Sequence, residues 1–482
     1  MGGKNRVLQS QNDFTQLIVP ICCRKGVIIE RAEEMAKSAG INRRTFIKNA
    51  SLTAFAGATG GIATGATVAS AASSSKMANG KYDFDTVYNR VNHNTSRWDS
   101  PPKSYPEGTF KYGMGVASMD FECAPCITEA IAERNEHHSW GYMSTTDPLR
   151  DQIVKWNGER HGVDLPNDAI TISDGVYAGM IAAMRSLVGS GGKVLINTPA
   201  YSGFYTMNRN ARTLPVDSAL IKVNGRYEID WVDLESKMTP DVRAMIVCNP
   251  QNPTGNVWKE DELLRIGRLC LEHNIVVLSD EIHADFIRPG YKYTPFAALP
   301  DQAVVNNSLS FGAVSKTFNL AGMKNAYFYS KNPQLKARVD EYHFAELSTL
   351  GVVANEAAYK DGADWFAQAL AYIDGSHDMV ESYIKKNMPT VGYTRNEGTF
   401  MTFLDFSKTM ESIGANEQYK SHGKQSPEHY FQDWLVHNSG VYLNPGSVYG
   451  DGGAGHMRTN IASSRLVLKD VFDAMASAVN KV

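Results

Sequence analysis

Long apolar runs, cysteine and net charge are all scarce in this 482-residue chain, and each scarcity removes a class of function. No uncharged apolar run reaches the roughly 18 residues that a membrane-spanning helix requires. Six cysteines do not make a disulfide framework in a chain of this size. A formal net charge of −3 argues against nucleic acid or an anionic membrane surface as the main partner. There is no internal repeat, and no array of Cys and His has metal-ligand spacing, so no metal is expected. What is present is ordinary for a globular protein: 43% apolar and 21% charged residues, in a chain long enough for two domains and a large core.

Two local features have bland and sharp readings. Cys123-Ala124-Pro125-Cys126 has the spacing of a redox pair, but nothing around it has the βαβ setting of such a site. Two small apolar residues opening a helix is the better reading, and pairing of the two thiols stays open. Near the N-terminus, Arg43-Arg44 precedes a mild Gly/Ala/Thr-rich stretch, Ala50 to Ala72, that holds Ala69-Ser70-Ala71. Paired arginines, a weakly apolar segment and a small-residue site look like a twin-arginine export signal cleaved near Ala71. The lead before the arginines is long, and Met35 offers an alternative start. Residues 1–71 are therefore read as an extension and signal, implying a periplasmic or exported protein; a disordered tail on a cytoplasmic protein is the alternative.

From about Ile127 onward, short apolar runs alternate with helical patterns. Lys193–Asn197, Ala244–Cys248 and Ile275–Ser279 read as buried parallel strands. Lys259 to Asn274 carries Leu263, Ile266, Gly267 and Cys270 at helical spacing. Strand–helix–strand units build an α/β sheet, and ligands bind such sheets at the carboxyl ends of the strands. Four segments in that position stand out: Thr198-Pro199-Ala200-Tyr201, Asn249-Pro250-Gln251-Asn252-Pro253-Thr254-Gly255, Asp280-Glu281-Ile282-His283 and, after Ser308–Phe311, Val314-Ser315-Lys316-Thr317-Phe318-Asn319. Each is weak alone, since an Asp can cap a helix and a Lys can be solvated; the four in this order are a strong signal.

With these motifs the chain resembles the fold-type-I pyridoxal-phosphate enzymes, the aspartate aminotransferase superfamily, from about Tyr82 to the C-terminus. Tyr82-Asp83-Phe84-Asp85, Met119-Asp120-Phe121 and Ser279-Asp280-Glu281-Ile282-His283 add a likeness to the C–S β-lyase branch, which includes cystathionine β-lyases and the maltose-regulon modulator type. The resemblance implies a large α/β domain with a mostly parallel sheet over 126–351. It implies a smaller α+β domain from 82–125 and 352–482.

It also implies roles. Lys316 carries pyridoxal 5′-phosphate as a Schiff base and, once freed, serves as general base; burial must depress its pKa. Asp280 keeps the ring nitrogen protonated, so that the ring works as an electron sink. Asn252 and His283 bond the phenolic oxygen, and Tyr201 stacks on the ring. Backbone N–H groups of Val176 and Tyr177 at a helix N-terminus take the phosphate, with Ser315 and Lys324 adding a hydroxyl and a cation. Ala313 and Lys324 depart from the usual serine and arginine, weakening that cup modestly. Arg458 takes the substrate carboxylate bidentately, a surface ion pair being its bland alternative. Tyr142 reaches the phosphate in a neighbouring subunit, which implies a homodimer with shared sites, against a core tyrosine. Asp120 belongs either to the segment closing over the substrate or to a helix N-cap before Pro125.

The activity implied is a C–S β-lyase that takes an L-cysteine conjugate such as cystathionine to pyruvate, ammonia and a thiol. An aminotransferase uses the same residues, and a non-catalytic regulator on the same fold is the reading from another class. The thiol side of the substrate is not legible.

Overall fold

The apolar runs become the central strands of a seven-stranded sheet in the computed structural model, which describes residues 79–482. The strands are β1 (Ile170–Ser173), β2 (Lys193–Thr198), β3 (Leu214–Ala219), β4 (Val242–Cys248), β5 (Val276–Asp280), β6 (Ser308–Gly312) and β7 (Ala326–Tyr329). Their order across the sheet is β1-β7-β6-β5-β4-β2-β3. Every pairing is parallel except the two made by β7. The middle strands β4, β5 and β6 are buried along nearly their whole length, which is why they read as continuous apolar runs rather than alternating ones. Parallel running brings the carboxyl ends of six strands to one edge of the sheet. Because β7 runs the other way, it is the start of β7, at Lys324-Asn325, that arrives there.

Helices α1 (Pro125–Asn135), α2 (Asp147–His161), α3 (Val176–Leu187), α4 (Gly203–Ala211), α5 (Glu260–Glu272), α6 (Thr349–Asp361), α7 (Ala363–Asn387) and α8 (Arg465–Val479) matter most to the site. The α5 segment shows how the sequence sets an element. Glu262 reaches back to the Lys259 N–H at 2.7 Å, and Glu260, Asp261 and Glu262 place negative charge at the positive end of the helix dipole. Its buried face is Leu263, Ile266, Gly267 and Cys270. A Cβ on Gly267 would collide with Val304, so glycine permits the close approach.

A second, antiparallel sheet contains β8 (Gly392–Tyr393), β9 (Met401–Asp405), β10 (Asn444–Pro445) and β11 (His456–Asn460) in the order β8-β9-β11-β10. It shares a core with Val380 and Ile384 of α7 and Val471, Phe472 and Met475 of α8. Its approach is fixed by backbone pairing: the N–H groups of Glu397 and Gly398 both donate to Gly255 O at 2.9 Å, and Thr399 N–H donates to Phe286 O at 2.9 Å. Gly255 has φ +78°, and a Cβ there would strike Asn396. Arg226 clamps the joint, pairing with Glu262 at 2.9 Å and Glu397 at 2.8 Å. These contacts hold β11, and with it Arg458, beside the loops that follow β4 and β5.

The boundaries read at 125/126 and 351/352 fall inside α1 and α6, which pack on each other. No helix of the described residues is long and apolar enough to cross a membrane. The export signal, its cleavage site and Met35 lie outside the described residues.

Candidate active site

The strand ends converge on a cavity of about 320 Å³ lined by Val176, Tyr177, Tyr201, Asn252, Asp280, His283, Ser315, Lys316 and Lys324. Nine residues singled out in the sequence are thus brought together by the topology described above. The tenth, Arg458, comes from the other sheet: its Nη1 donates to Asn252 Oδ1 at 3.1 Å and its Nη2 to Gly115 O at 2.7 Å. Only Tyr142 lies apart. It is fully exposed and lines a separate open cleft with Trp140 and Leu347, so it is not a core tyrosine.

Lys316 follows β6 and is buried, with Nζ donating to Ala117 O at 2.8 Å. Burial, reinforced by the positive field of Arg458 and opposed by Asp280, brings the amine down to about 8. A usable fraction is therefore neutral near pH 7, as a nucleophilic or basic amine requires. Asp280 ends β5 with a single backbone donor, Ile282 N–H, at 3.3 Å. Burial pushes its carboxyl up to about 7. A buried carboxylate so poorly met calls for a cation or a strong donor. Burial, with the charges of Lys316 and Arg458, holds His283 well below the ordinary histidine range, so its ring is neutral. Its Nδ1 is buried and has no partner.

Helix α3 begins at the cavity, and no side chain caps it, so the first N–H groups remain free for an anion. Ser315 and Lys324 line the same cavity. Tyr201 is braced edge-on by Phe204, with ring centroids 5.6 Å apart. Arg458 is buried and its guanidinium lies 5.1 Å from the Tyr449 ring centroid. It makes no ion pair among the described residues, and its Nε has no partner. The surface ion pair is thereby excluded, and the guanidinium keeps unused donors that a carboxylate could take.

Several lining residues carried no sequence signal. Ala117 acts through its carbonyl, which any residue supplies. Asn325 Nδ2 is buried without a partner beside Lys324. Cys248 could have been found, since it closes β4 in register with Asp280 of β5. Asp120 is not a helix cap: α1 is preceded by Ala124, with no side-chain cap. Asp120 instead accepts from Trp98 Nε1 at 2.8 Å and pairs with Arg97 at 3.0 Å, tying the N-terminal segment down. Cys123 and Cys126 are free thiols that burial pushes up, Cys126 to about 11, so neither has the lowered pKa of a reactive thiol.

Residues 111–473 match the aminotransferase class I and II family. The chain belongs to that family. Among its relatives, cystathionine beta-lyase PatB of Bacillus subtilis (strain 168) is 32% identical over 404 residues, spanning 83% of this chain and 100% of PatB. The PLP-bound candidate aminotransferase of Clostridium difficile 630 superposes with a TM-score of 0.76 at 32% identity, covering 83% of this chain and 100% of that one. Cystalysin of Treponema denticola, solved with its pyridoxal 5′-phosphate, gives a TM-score of 0.76 at 29% identity, covering 83% and 99%.

The protein is accordingly a fold-type-I enzyme dependent on pyridoxal 5′-phosphate, and its unsatisfied groups fit that cofactor. The free N-terminus of α3, Ser315 and Lys324 can hold a phosphate. The under-bonded Asp280 suits a protonated ring nitrogen, and His283, whose Nδ1 has no partner, suits a phenolic oxygen. Lys316 is the buried amine that lines the same cavity.

Proposed function

We propose that the enzyme is a C–S β-lyase acting on an L-cysteine conjugate such as cystathionine, with pyruvate, ammonia and a thiol as products. The observation that carries this reading is the inventory of cations. Lys316 and Lys324 line the cavity, and Arg458 stands beside it as the one buried arginine among the described residues that is free of carboxylates. The nearby Arg97 is committed to Asp120 and the Arg90 guanidinium to Met119 O. One α-carboxylate is provided for, and among the described residues no second buried arginine is left free for the short side-chain carboxylate of an aspartate or glutamate, the substrates of a dicarboxylate aminotransferase. The names of PatB and of cystathionine beta-lyase relatives in Mycobacterium and Corynebacterium support the same reading.

Arg458 binds the substrate carboxylate through its free Nε and remaining Nη hydrogens. Lys316 Nζ removes the α-proton. When bound, pyridoxal phosphate supplies the electron sink for the carbon that loses it. Asp280 holds positive charge at the ring nitrogen, and neutral His283 with Asn252 holds the phenolic oxygen. Burial excludes water and strengthens each of these contacts.

The second reading is an aminotransferase, favoured by the family match itself. Incubating the protein with cystathionine, with cysteine, and with an amino acid plus 2-oxo acid pair decides between them. Pyruvate with free thiol supports the lyase; a new amino acid overturns it. A non-catalytic regulator would have no need for a lysine, carboxylate and arginine held in this way.

Two further parts of the reading concern assembly and place. We propose a homodimer in which Tyr142 serves the site of the neighbouring subunit, which suits a tyrosine fully exposed on its own chain. We also propose export through Arg43-Arg44, which suits an enzyme folded around its cofactor before passage.

A further inference from the structure

The three residues that follow Lys316 are each fastened to a different element. Asn319 is bonded to the backbone of Met119 in both directions, at 2.9 Å each way. Phe318 sits in an aromatic cluster with Trp156, Trp365 and Phe366, each centroid 5.9 Å away. Thr317 donates its hydroxyl to Asp285 Oδ2 at 2.6 Å. The first two contacts fix the loop as a whole, while the third acts on the residue directly bonded to the lysine.

Asp285 lies two residues beyond His283, in the turn that follows β5. Its other oxygen, Oδ1, is met by Arg160 Nε at 2.7 Å, His161 Nε2 at 3.1 Å and Trp156 Nε1 at 3.2 Å, all from α2. One carboxylate therefore ties α2, the His283 turn and the Lys316 loop to a single point. We propose that Asp285 is a positioning residue for Lys316, acting through the Thr317 hydroxyl to hold the amine over the cavity. The inference rests on Lys316 being the cofactor lysine. Arg160 and His161 fix where the carboxylate sits; the carboxylate fixes Thr317; Thr317 fixes the backbone from which the lysine side chain reaches Ala117 O. Buried and ionised, the acceptor makes this a charge-assisted hydrogen bond of the stronger kind.

Removing Asp285 endangers folding, so the test is made at Thr317. Thr317→Val keeps the shape and deletes the donor; Thr317→Ser keeps the donor. Each full-length protein is purified with pyridoxal phosphate, and kcat, KM and the pH midpoint of the visible band of the lysine-bound cofactor are measured. The valine variant should keep the cofactor, lose about tenfold or more in kcat and change little in KM. The midpoint of its band should rise by about half a pH unit or more, because a lysine nitrogen freed toward water is more easily protonated. The serine variant should restore both. A valine variant with the wild-type midpoint and kcat overturns the proposal, and so does a serine variant as impaired as the valine one. Should the valine variant not fold, Thr317→Ala is read in the same way. Lys316→Ala, run alongside, separates the two claims. If it keeps the band, the reading of Lys316 itself falls; if it loses the band while Thr317→Val is normal, only the role of Asp285 falls.

Discussion

Asp280 and Asp285 are near neighbours in the chain and almost equally buried, 4% and 8% exposed, yet their surroundings are opposite. Asp280 has one long backbone bond, and burial pushes it up to about 7. Burial alone would raise Asp285 as well, but His161, Arg160 and Thr317 hold it below the usual carboxylate range. One carboxylate is satisfied by the protein and the other is left for something else to satisfy. The same contrast holds for the groups around each of them. Around the cavity, His283 Nδ1, Asn325 Nδ2 and Arg458 Nε are buried without partners, whereas the network behind it, built on Asp285, is bonded on every side. Unmet buried polar groups that face a cavity at strand ends mark where a ligand completes the structure.

The largest effect expected is at the amine. Lys316→Ala should abolish both the visible absorbance and turnover, and a borohydride-reducible adduct persisting in that variant would show the cofactor to be held elsewhere. Next is Asp280→Ala, which should lose several kcal/mol of transition-state stabilisation, about a hundredfold or more in kcat, while retaining some cofactor. Undiminished kcat there would mean that another group manages the ring nitrogen. Arg458→Met should raise KM for the amino acid by about thirtyfold or more, with a smaller fall in kcat, from loss of a buried charged hydrogen bond.

The comparison is sharpened by stability without the cofactor, where the two carboxylates should differ in sign. Asp280 has a folded pKa raised from an unfolded value of about 4, so the folded state binds the extra proton and stability falls as pH climbs from about 4 to about 7. Asp280→Asn should remove that loss and raise the melting temperature of the cofactor-free protein at pH 8. Asp285 has a depressed folded pKa, so its contribution is present above the unfolded value and is lost as pH falls through the folded one. Asp285→Asn should lower the melting temperature at pH 8 and make the acid side of the profile flatter. Equal destabilisation by both changes would break the comparison.

The smallest effect on catalysis is expected from Arg43→Lys with Arg44→Lys. Activity should be unchanged, while fractionation and N-terminal sequencing should find an uncleaved form trapped inside the cell. The glycines between Ala50 and Ala72 favour a signal over a packed helix, each weakening a helix by about 1 kcal/mol. Wild-type protein in the cytoplasm still carrying Ile41–Ala71 would refute export.

Most of the fold was legible because buried parallel strands leave continuous apolar runs and their ligands gather at one end. Lys193–Asn197, Ala244–Cys248 and Ile275–Ser279 are strands in the structure to within a residue or two, and the buried face of α5 is the one its spacing implied. The side chains that line the cavity were legible for the same reason. What escaped was chemistry with no side-chain signature or with a distant partner. The Ala117 carbonyl belongs to no motif, and Asp120 could not be told from a cap until Arg97 and Trp98 folded onto it. Thr317 and Asp285 meet across 32 positions of sequence, which no periodicity reports.

The central claim is that the buried constellation of Lys316, Asp280 and Arg458 cleaves a carbon–sulfur bond. Pyruvate, ammonia and free thiol measured together after incubation with cystathionine test it directly. Equimolar release of the three, abolished in Lys316→Ala, is the predicted result. Intact cystathionine, alongside steady conversion of a supplied 2-oxo acid into its amino acid, would contradict it.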